Sequence, residues 1–189
     1  MKYVIAENYL CFLSLLEMII EDATGLKITQ QDLAEEFGII VPHGYNIGIN
    51  NIKSSSVEND YGVKISEEKL QEFFDEKGIG LRIKYLDGTR INELDLDVRF
   101  ARYLKEKKYV ILAYSYGVLY NKFNHDSLGH VALLEKVSGE DIIQIYDPGP
   151  DEAGVKEISI LKMYDAMRKK GGLYIIDKSK GKNEKKSSG

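Results

Sequence analysis

The chain has 189 residues, a formal net charge of −4, one cysteine, 43% hydrophobic residues and 30% charged residues. This length and composition predict one globular domain that buries its own core. The negative charge argues against nucleic acid as the main partner, and the lone cysteine excludes an internal disulfide, so we expect a cytoplasmic protein.

The first predicted helix contains the most apolar part of the chain. It runs from residue 9 or 10 to residue 23, and Gly25 ends it. Large aliphatic and aromatic residues occupy most of its circumference, which indicates a helix buried in the middle of the domain. Ser14 and Glu17 interrupt the apolar run, which is too short and too polar to span a bilayer, so we expect no membrane partner.

Two further helices carry recognisable start signals. Thr29 and Asp32 have the spacing of a capping box at the start of the second helix, which Gly38 ends. Ser66 is placed to cap a third helix over residues 67–77. Both signals predict short helices that each have one apolar face.

A loop and a fourth helix complete the predicted first half. Residues 39–61 are rich in glycine, asparagine and serine, and they predict a long loop that walls one side of a cleft. The fourth helix covers residues 92–107. Its predicted inward face consists of Leu94, Val98, Ala101 and Leu104.

Strands dominate the second half. After a first strand at residues 81–86, the sequence predicts strands at 109–114, 129–137, 141–146, 156–160 and 173–177. A helix over residues 161–170 separates the last two strands. The turn Ser138-Gly139-Glu140 joins two strands in a hairpin. Helices followed by a mainly antiparallel sheet indicate the α+β class.

The predicted domain covers residues 1–177, and residues 178–189 are expected to form a disordered, lysine-rich tail. The tail has five lysines and one glutamate, which leaves a charge of −8 on the rest of the chain. Its Ser, Gly and Lys content is typical of a solvated chain end rather than of a binding arm.

Three residues far apart in the sequence are candidates for catalysis. Cys11 lies where the first helix begins, and the positive field of a helix N-terminus favours a thiolate there. His130 lies in one strand of the hairpin and Asp147 ends the other, so both come to the same end of a two-stranded ladder. A carboxylate there orients one ring nitrogen and leaves the other to face the cysteine. Taken singly, each residue also has an ordinary structural explanation.

The motifs around these residues resemble those of the bacteriocin-processing, double-glycine-leader cysteine peptidases and their standalone relatives. They are Tyr9-Leu10-Cys11, Glu17-Met18-Ile19, Thr29-Gln30-Gln31-Asp32-Leu33-Ala34, Gly129-His130-Val131 and Tyr146-Asp147-Pro148-Gly149. The resemblance covers about residues 7–177. It implies a papain-like fold, in which a helical half with a central cysteine-bearing helix packs on a sheet that carries the histidine and the aspartate.

The same resemblance implies the role of each residue. Cys11 would be the nucleophile, His130 the general base and acid, and Asp147 the orienting group, with a peptide or protein as substrate. Ile5 stands where the family usually has a glutamine that donates to the oxyanion, and losing one such donor costs on the order of 100- to 1,000-fold in rate. Asn8 is the candidate replacement, together with the backbone N–H of Cys11.

A second departure from the family is Phe12, which stands where glycine is common next to the cysteine. Its ring is expected to narrow the cleft or to change how substrate approaches. Three functions therefore stay open. They are a cysteine peptidase, an amidase or acyltransferase with the same triad, and a catalytically inactive papain-like binding module, for which Ile5 is the best support.

The remaining histidines and the tyrosines are assigned to structure. His43 and His125 are expected in loops, and the spacing from His125 to His130 is weak support for a zinc site. Tyr114, Tyr116 and Tyr120 are expected on an exposed or half-buried face of the sheet. The sequence indicates no cofactor and no metal, and it leaves the oligomeric state open.

Overall fold

The computed structural model describes residues 1–57, 60–122, 128–139, 141–150 and 153–178. Its helices are α1 (Cys11–Thr24), α2 (Gln30–Phe37), α3 (Glu67–Glu76), α4 (Leu96–Lys105), α5 (Tyr116–Tyr120) and α6 (Ile160–Lys169). Its strands are β1 (Ile39–Pro42), β2 (Ile52–Ser55), β3 (Leu81–Asp87), β4 (Tyr109–Ser115), β5 (Gly129–Val137), β6 (Ile142–Asp147), β7 (Gly154–Ser159) and β8 (Gly172–Lys178). The predicted tail beyond Lys178 lies outside the described residues.

Six strands form one sheet, in the order β3-β8-β4-β5-β6-β7, and every neighbouring pair is antiparallel. The predicted hairpin is the β5–β6 pair, which the hydrogen bond from Ser138 N to Ile142 O closes at 2.7 Å. β1 and β2 form a separate parallel pair. The α+β class and the mainly antiparallel sheet are thus confirmed.

Helices cover both faces of the six-stranded sheet, where the sequence suggested one helical half. α1, α2 and α3 share a core with Val131 and Leu133 of β5 on one face. α4, α5 and α6 share a core with Ala132 and Leu134 of the same strand on the other face. Consecutive residues of β5 are apolar, so both faces of the strand have to be covered.

α1 is the central helix of its layer. Leu13, Leu16 and Ile20 are fully buried, and the helix packs on β5. It begins at Cys11 because Tyr9 has a φ of 70°, a left-handed conformation that a right-handed helix cannot include. Within the described residues, no helix combines the length and the apolar character needed to cross a bilayer.

The predicted start signals of α2 and α3 are confirmed. The Thr29 hydroxyl accepts a hydrogen bond from Asp32 N, and the Asp32 carboxylate accepts one from Thr29 N, which is a complete capping box. The Ser66 hydroxyl accepts a hydrogen bond from Lys69 N at the start of α3. Local hydrogen bonding therefore fixes both helix starts, as short-range sequence signals can.

The sequence predicted one long loop over residues 39–61, but the structure has two strands in this segment. β1 and β2 lie within it, and the alternate residues Ile39 and Val41 of β1 are buried against α1 and its neighbours. The glycine and asparagine content reflects the connection between these two strands. A short apolar run between turn residues was the available signal for a strand.

The fourth helix presents a different face from the predicted one. The α-helix begins at Leu96, and its buried residues are Leu96, Phe100 and Tyr103. Of the predicted residues, Leu94, Val98 and Ala101 are exposed, and only Leu104 packs against the same core. Both stripes have helical spacing, and the aromatic stripe buries more apolar surface, so it decides which way the helix faces.

Candidate active site

Cys11 opens α1, and its thiol is free and partly exposed. The left-handed Tyr9 turns the chain into the helix, and its ring packs edge-on against Tyr45 and Tyr61, with centroids 5.1 and 5.7 Å away. The first backbone N–H groups of a helix have no acceptor within the helix, so the thiol lies in their positive field.

His130 is the second residue of β5, and Asp147 is the last residue of β6. The register pairs Leu133 with Tyr146, which places Asp147 opposite Ala132 when the ladder is continued. His130 and Asp147 therefore project from the same face at diagonal positions. His130 Nε2 lies 2.7 Å from Asp147 Oδ1. The structure thus brings the predicted histidine and aspartate into direct contact.

Cys11 contacts the same imidazole from the other side. Burial lowers the pKa of His130, but hydrogen bonds to the Asp147 and Cys11 side chains and their negative charges outweigh burial and raise the pKa to about 10. Since Nε2 is bound to Asp147, the ring nitrogen that remains for the thiol is Nδ1. The arrangement favours the imidazolium form of His130.

Asp147 is fully buried, and four groups donate to its two oxygens. Oδ1 accepts from His130 and from Gly149 N at 2.9 Å, and Oδ2 accepts from Tyr120 Oη at 2.6 Å and from Lys156 Nζ at 3.3 Å. Burial by itself raises the pKa of Asp147, but the hydrogen bond and positive charge of His130, followed by the bonds from Tyr120 and Gly149, hold the pKa well below its usual range. The carboxylate is therefore ionised and has no free lone pair.

Aromatic rings enclose the imidazole. Tyr114 and Tyr116 each stand perpendicular to the His130 ring with centroids 5.7 Å away. Tyr114 is fully buried, and Tyr116 and Tyr120 belong to α5, so the predicted exposed or half-buried sheet face is wrong for all three. Tyr114 and Tyr116 therefore pack edge-on against the imidazole.

A cavity of about 300 Å³ opens in front of Cys11 and His130. Its lining includes residues 60–65 and residues at the ends of β4, β5 and β8. Its walls include the partly exposed side chains Tyr9, Tyr61, Val63, Ile65 and Tyr174. The cavity is large enough to hold an amino-acid side chain, and Cys11 is part of its lining.

The predicted oxyanion donor lies near the start of α1 but has a partner. Asn8 is exposed, and its Nδ2 donates to Tyr45 Oη at 2.7 Å. Ile5 is also exposed, and its carbonyl accepts from Gln30 Nε2 at 3.1 Å. Phe12 is buried against Tyr174, with ring centroids 4.9 Å apart, and it belongs to the lining of the cavity.

The other predicted histidines do not extend the site. His43 is exposed in a turn after β1, and His125 lies outside the described residues. Among the residues that the structure describes, no group of three or more His, Cys, Asp or Glu side chains is arranged around a common metal position.

Tyr120 and Lys156 bind the Asp147 oxygen that faces away from His130, and the sequence did not identify them as site residues. Lys156 projects inward from β7, and Tyr120 reaches Asp147 from α5, which the sequence did not indicate as a helix. In the structure, Lys156 pairs with Ile145 and lies on the same face of the sheet. From sequence alone, a lysine is usually expected to face solvent. Gly149 carried a signal, because glycine after Asp-Pro marks a tight turn.

Comparison with known proteins supports the fold. No protein-family model and no curated protein matches the chain. A crystal structure described as a "putative C39-like peptidase" from Bacillus anthracis is similar, with a TM-score of 0.61 and 15% sequence identity over 94% of each chain. The chain has the fold of that structure. At this identity the likeness shows the fold alone, and it agrees with a papain-like α+β architecture.

Proposed function

We propose that this protein is a cysteine peptidase-like hydrolase that uses Cys11, His130 and Asp147 on a peptide or amide substrate. The observation that carries the proposal is the placement of one imidazole between a thiol and a carboxylate, at the wall of an open cavity. A thiol at a helix start, a histidine and an orienting carboxylate are the parts that nucleophilic acyl transfer requires. The fold of the peptidase-like relative is consistent with this function.

In the proposed reaction the Cys11 thiolate attacks the substrate carbonyl. The new C–S bond forms as the carbonyl π electrons move to oxygen, and His130 then gives its Nδ1 proton to the leaving amine as the C–N bond breaks. Asp147 holds the ring through Nε2 during both steps. The neutral His130 then takes a proton from water as the water oxygen attacks the thioester carbonyl. The C–S bond breaks, the acid product leaves, and the Cys11 thiolate and the His130 imidazolium are restored.

Two donors are available for the oxyanion. The backbone N–H of Cys11 is at the start of α1, and the Asn8 amide would have to exchange its bond to Tyr45 for one to the substrate. Hydrolysis of p-nitrophenyl acetate by Asn8→Ala distinguishes them. A loss of about 100-fold, with unchanged thiol alkylation, assigns the donor to Asn8, and unchanged hydrolysis assigns it to the backbone.

The decisive experiment is alkylation of Cys11 by iodoacetamide at pH 7, followed by mass spectrometry. The single cysteine makes the site of labelling unambiguous. We expect wild type to react at least about tenfold faster than the same protein in urea, and we expect His130→Ala to lose that advantage. Equal rates for folded and unfolded protein would overturn the proposal and leave a non-catalytic binding module.

Acceptor choice separates hydrolysis from acyl transfer. After acylation by p-nitrophenyl acetate, the acyl-enzyme is offered water alone or water with an added amine. The proposed hydrolase forms mainly acetate, whereas an acyltransferase forms mainly the amide. Cys11→Ala is the control, and it should form no acyl-enzyme.

A further inference from the structure

Asp147 is bonded on both of its oxygens, and only one of them faces His130. The other oxygen, Oδ2, accepts from Tyr120 Oη at 2.6 Å and lies 3.3 Å from Lys156 Nζ. Lys156 also lies 3.3 Å from Tyr120 Oη, and its ammonium stands 4.7 Å from the centre of that ring. Tyr120, Lys156 and Asp147 therefore form a closed triangle behind the imidazole.

The sheet and α5 build this triangle from separate elements. Lys156 faces Ile145 across the β6–β7 ladder, and Asp147 lies two residues further along β6 on the same face. Tyr120 comes from the last turn of α5, which covers that face. Only 23% of the Lys156 side chain and 1% of the Asp147 side chain are exposed, so water contributes little to this contact.

We infer that Tyr120 and Lys156 are positioning residues, which keep Asp147 ionised and balance its negative charge. Asp147 can then orient the His130 ring without preventing His130 from releasing its proton. This inference rests on the proposed function for its role in the reaction. Lys156 matters most when His130 has given its proton away. Asp147 would then be a buried carboxylate beside a neutral ring, and the Lys156 ammonium supplies the missing positive charge.

The arrangement has a consequence for proton transfer. A carboxylate whose second oxygen is already bonded to a cation and a hydroxyl is a weaker acceptor for the imidazolium. Removing either donor should make Asp147 hold the imidazolium more strongly. His130 would then release its proton at a higher pH and become a poorer acid for the leaving group.

The test is ¹⁵N NMR titration of histidine-labelled protein in a Cys11→Ala background. That background removes the cysteine's contribution to the imidazolium and makes the experiment independent of turnover. Loss of a signal in His130→Ala assigns the His130 ring. We expect Lys156→Met to raise the His130 titration midpoint by about half to one pH unit, and Tyr120→Phe to raise it by less.

Matched substitutions separate this role from general stability. Lys156→Arg should keep the midpoint near that of the parent, because it keeps the charge. Tyr109→Phe removes a tyrosine–aspartate bond of 2.7 Å elsewhere, and Lys108→Met removes a remote ion pair of 2.8 Å, so neither should move the midpoint. If Lys156→Met does not fold, the near-isosteric Tyr120→Phe carries the test.

An unchanged or lowered midpoint in the folded Tyr120 and Lys156 variants would overturn the inference, as would an equal shift in the remote controls. These results do not depend on a reactive thiol. A raised midpoint together with slow alkylation of Cys11 in wild type would keep the triangle and reject the proposed hydrolase. Fast alkylation with an unchanged midpoint would support the proposed hydrolase and reject the role of the triangle.

Discussion

The two sides of the His130 ring are built in opposite ways. On the Asp147 side, the carboxylate is fully buried and four donors occupy its oxygens. On the Cys11 side, the thiol is partly exposed and faces a cavity of about 300 Å³. The closed Asp147 side holds the ring by hydrogen bonding, and the open Cys11 side is accessible to a small ligand. The difference indicates that orientation and access are supplied by separate parts of the fold.

The largest expected loss of stability comes from removing the Asp147 carboxylate on the closed side. Asp147→Ala should lower the free energy of unfolding by about 3–5 kcal/mol, because it removes a fully buried carboxylate that accepts hydrogen bonds from four groups. Cys11→Ala on the open side should cost less than about 1 kcal/mol. Urea unfolding of both variants measures the contrast, and equal losses would contradict it.

The second prediction concerns pH and the closed side. Folding raises the pKa of His130 from 6.5 to about 10, so its stabilising effect is complete below the unfolded value and is lost as pH rises towards 10. Folding lowers the pKa of Asp147 below 3.8, so its effect is complete above that value and is lost at more acidic pH.

The stability advantage of wild type over His130→Gln should therefore be greatest between about pH 4 and 6.5 and should shrink towards pH 10. Urea unfolding of the two proteins at intervals over this range measures the difference. An advantage that is constant over the whole range would show that the pair does not carry charge in the folded protein.

A third prediction tests how tightly the closed side is packed. A Cβ at Gly149 would lie 3.0 Å from Asp147 Oδ1 and 3.4 Å from two atoms of the His130 ring. Gly149→Ala should cost about 1–3 kcal/mol and slow Cys11 alkylation about tenfold or more, because the ring is displaced. Gly129→Ala is the control, since its Cβ would meet the flexible Lys170 side chain at 3.4 Å. Similar losses in both would contradict the contrast.

The smallest effect is expected at the rim of the open side. Lys64 lines the cavity and pairs with Asp60, but 60% of its side chain is exposed. Lys64→Met should change the free energy of unfolding by less than about 0.5 kcal/mol and leave the alkylation rate unchanged. Thermal unfolding and alkylation kinetics test this, and a marked loss of reactivity would add Lys64 to the site.

Much of the fold followed from signals that act over a few residues. The capping box at Thr29, the cap at Ser66 and the glycine after α1 predicted helix ends that the structure confirms. The turn after Val137 predicted the β5–β6 hairpin, and with it the contact of His130 and Asp147. Their catalytic roles remain a proposal, because proximity alone does not establish turnover.

Other features could not be predicted because two sequence patterns of similar strength indicated different buried faces. Two stripes of α4 had helical spacing, and packing chose Phe100 and Tyr103 over Leu94 and Val98. Tyr120 and Lys156 reach Asp147 from elements that are distant in sequence from it and from each other, so no local pattern marked them.

The sequence by itself determined the α+β class, the buried first helix and the hairpin, because turn chemistry, capping and apolar periodicity are local properties. Only the tertiary structure decided that both faces of the sheet are covered and that a tyrosine and a lysine close the far side of Asp147. Such contacts depend on strand register and on how helices seat on the sheet. Those are set by burial summed over the whole domain.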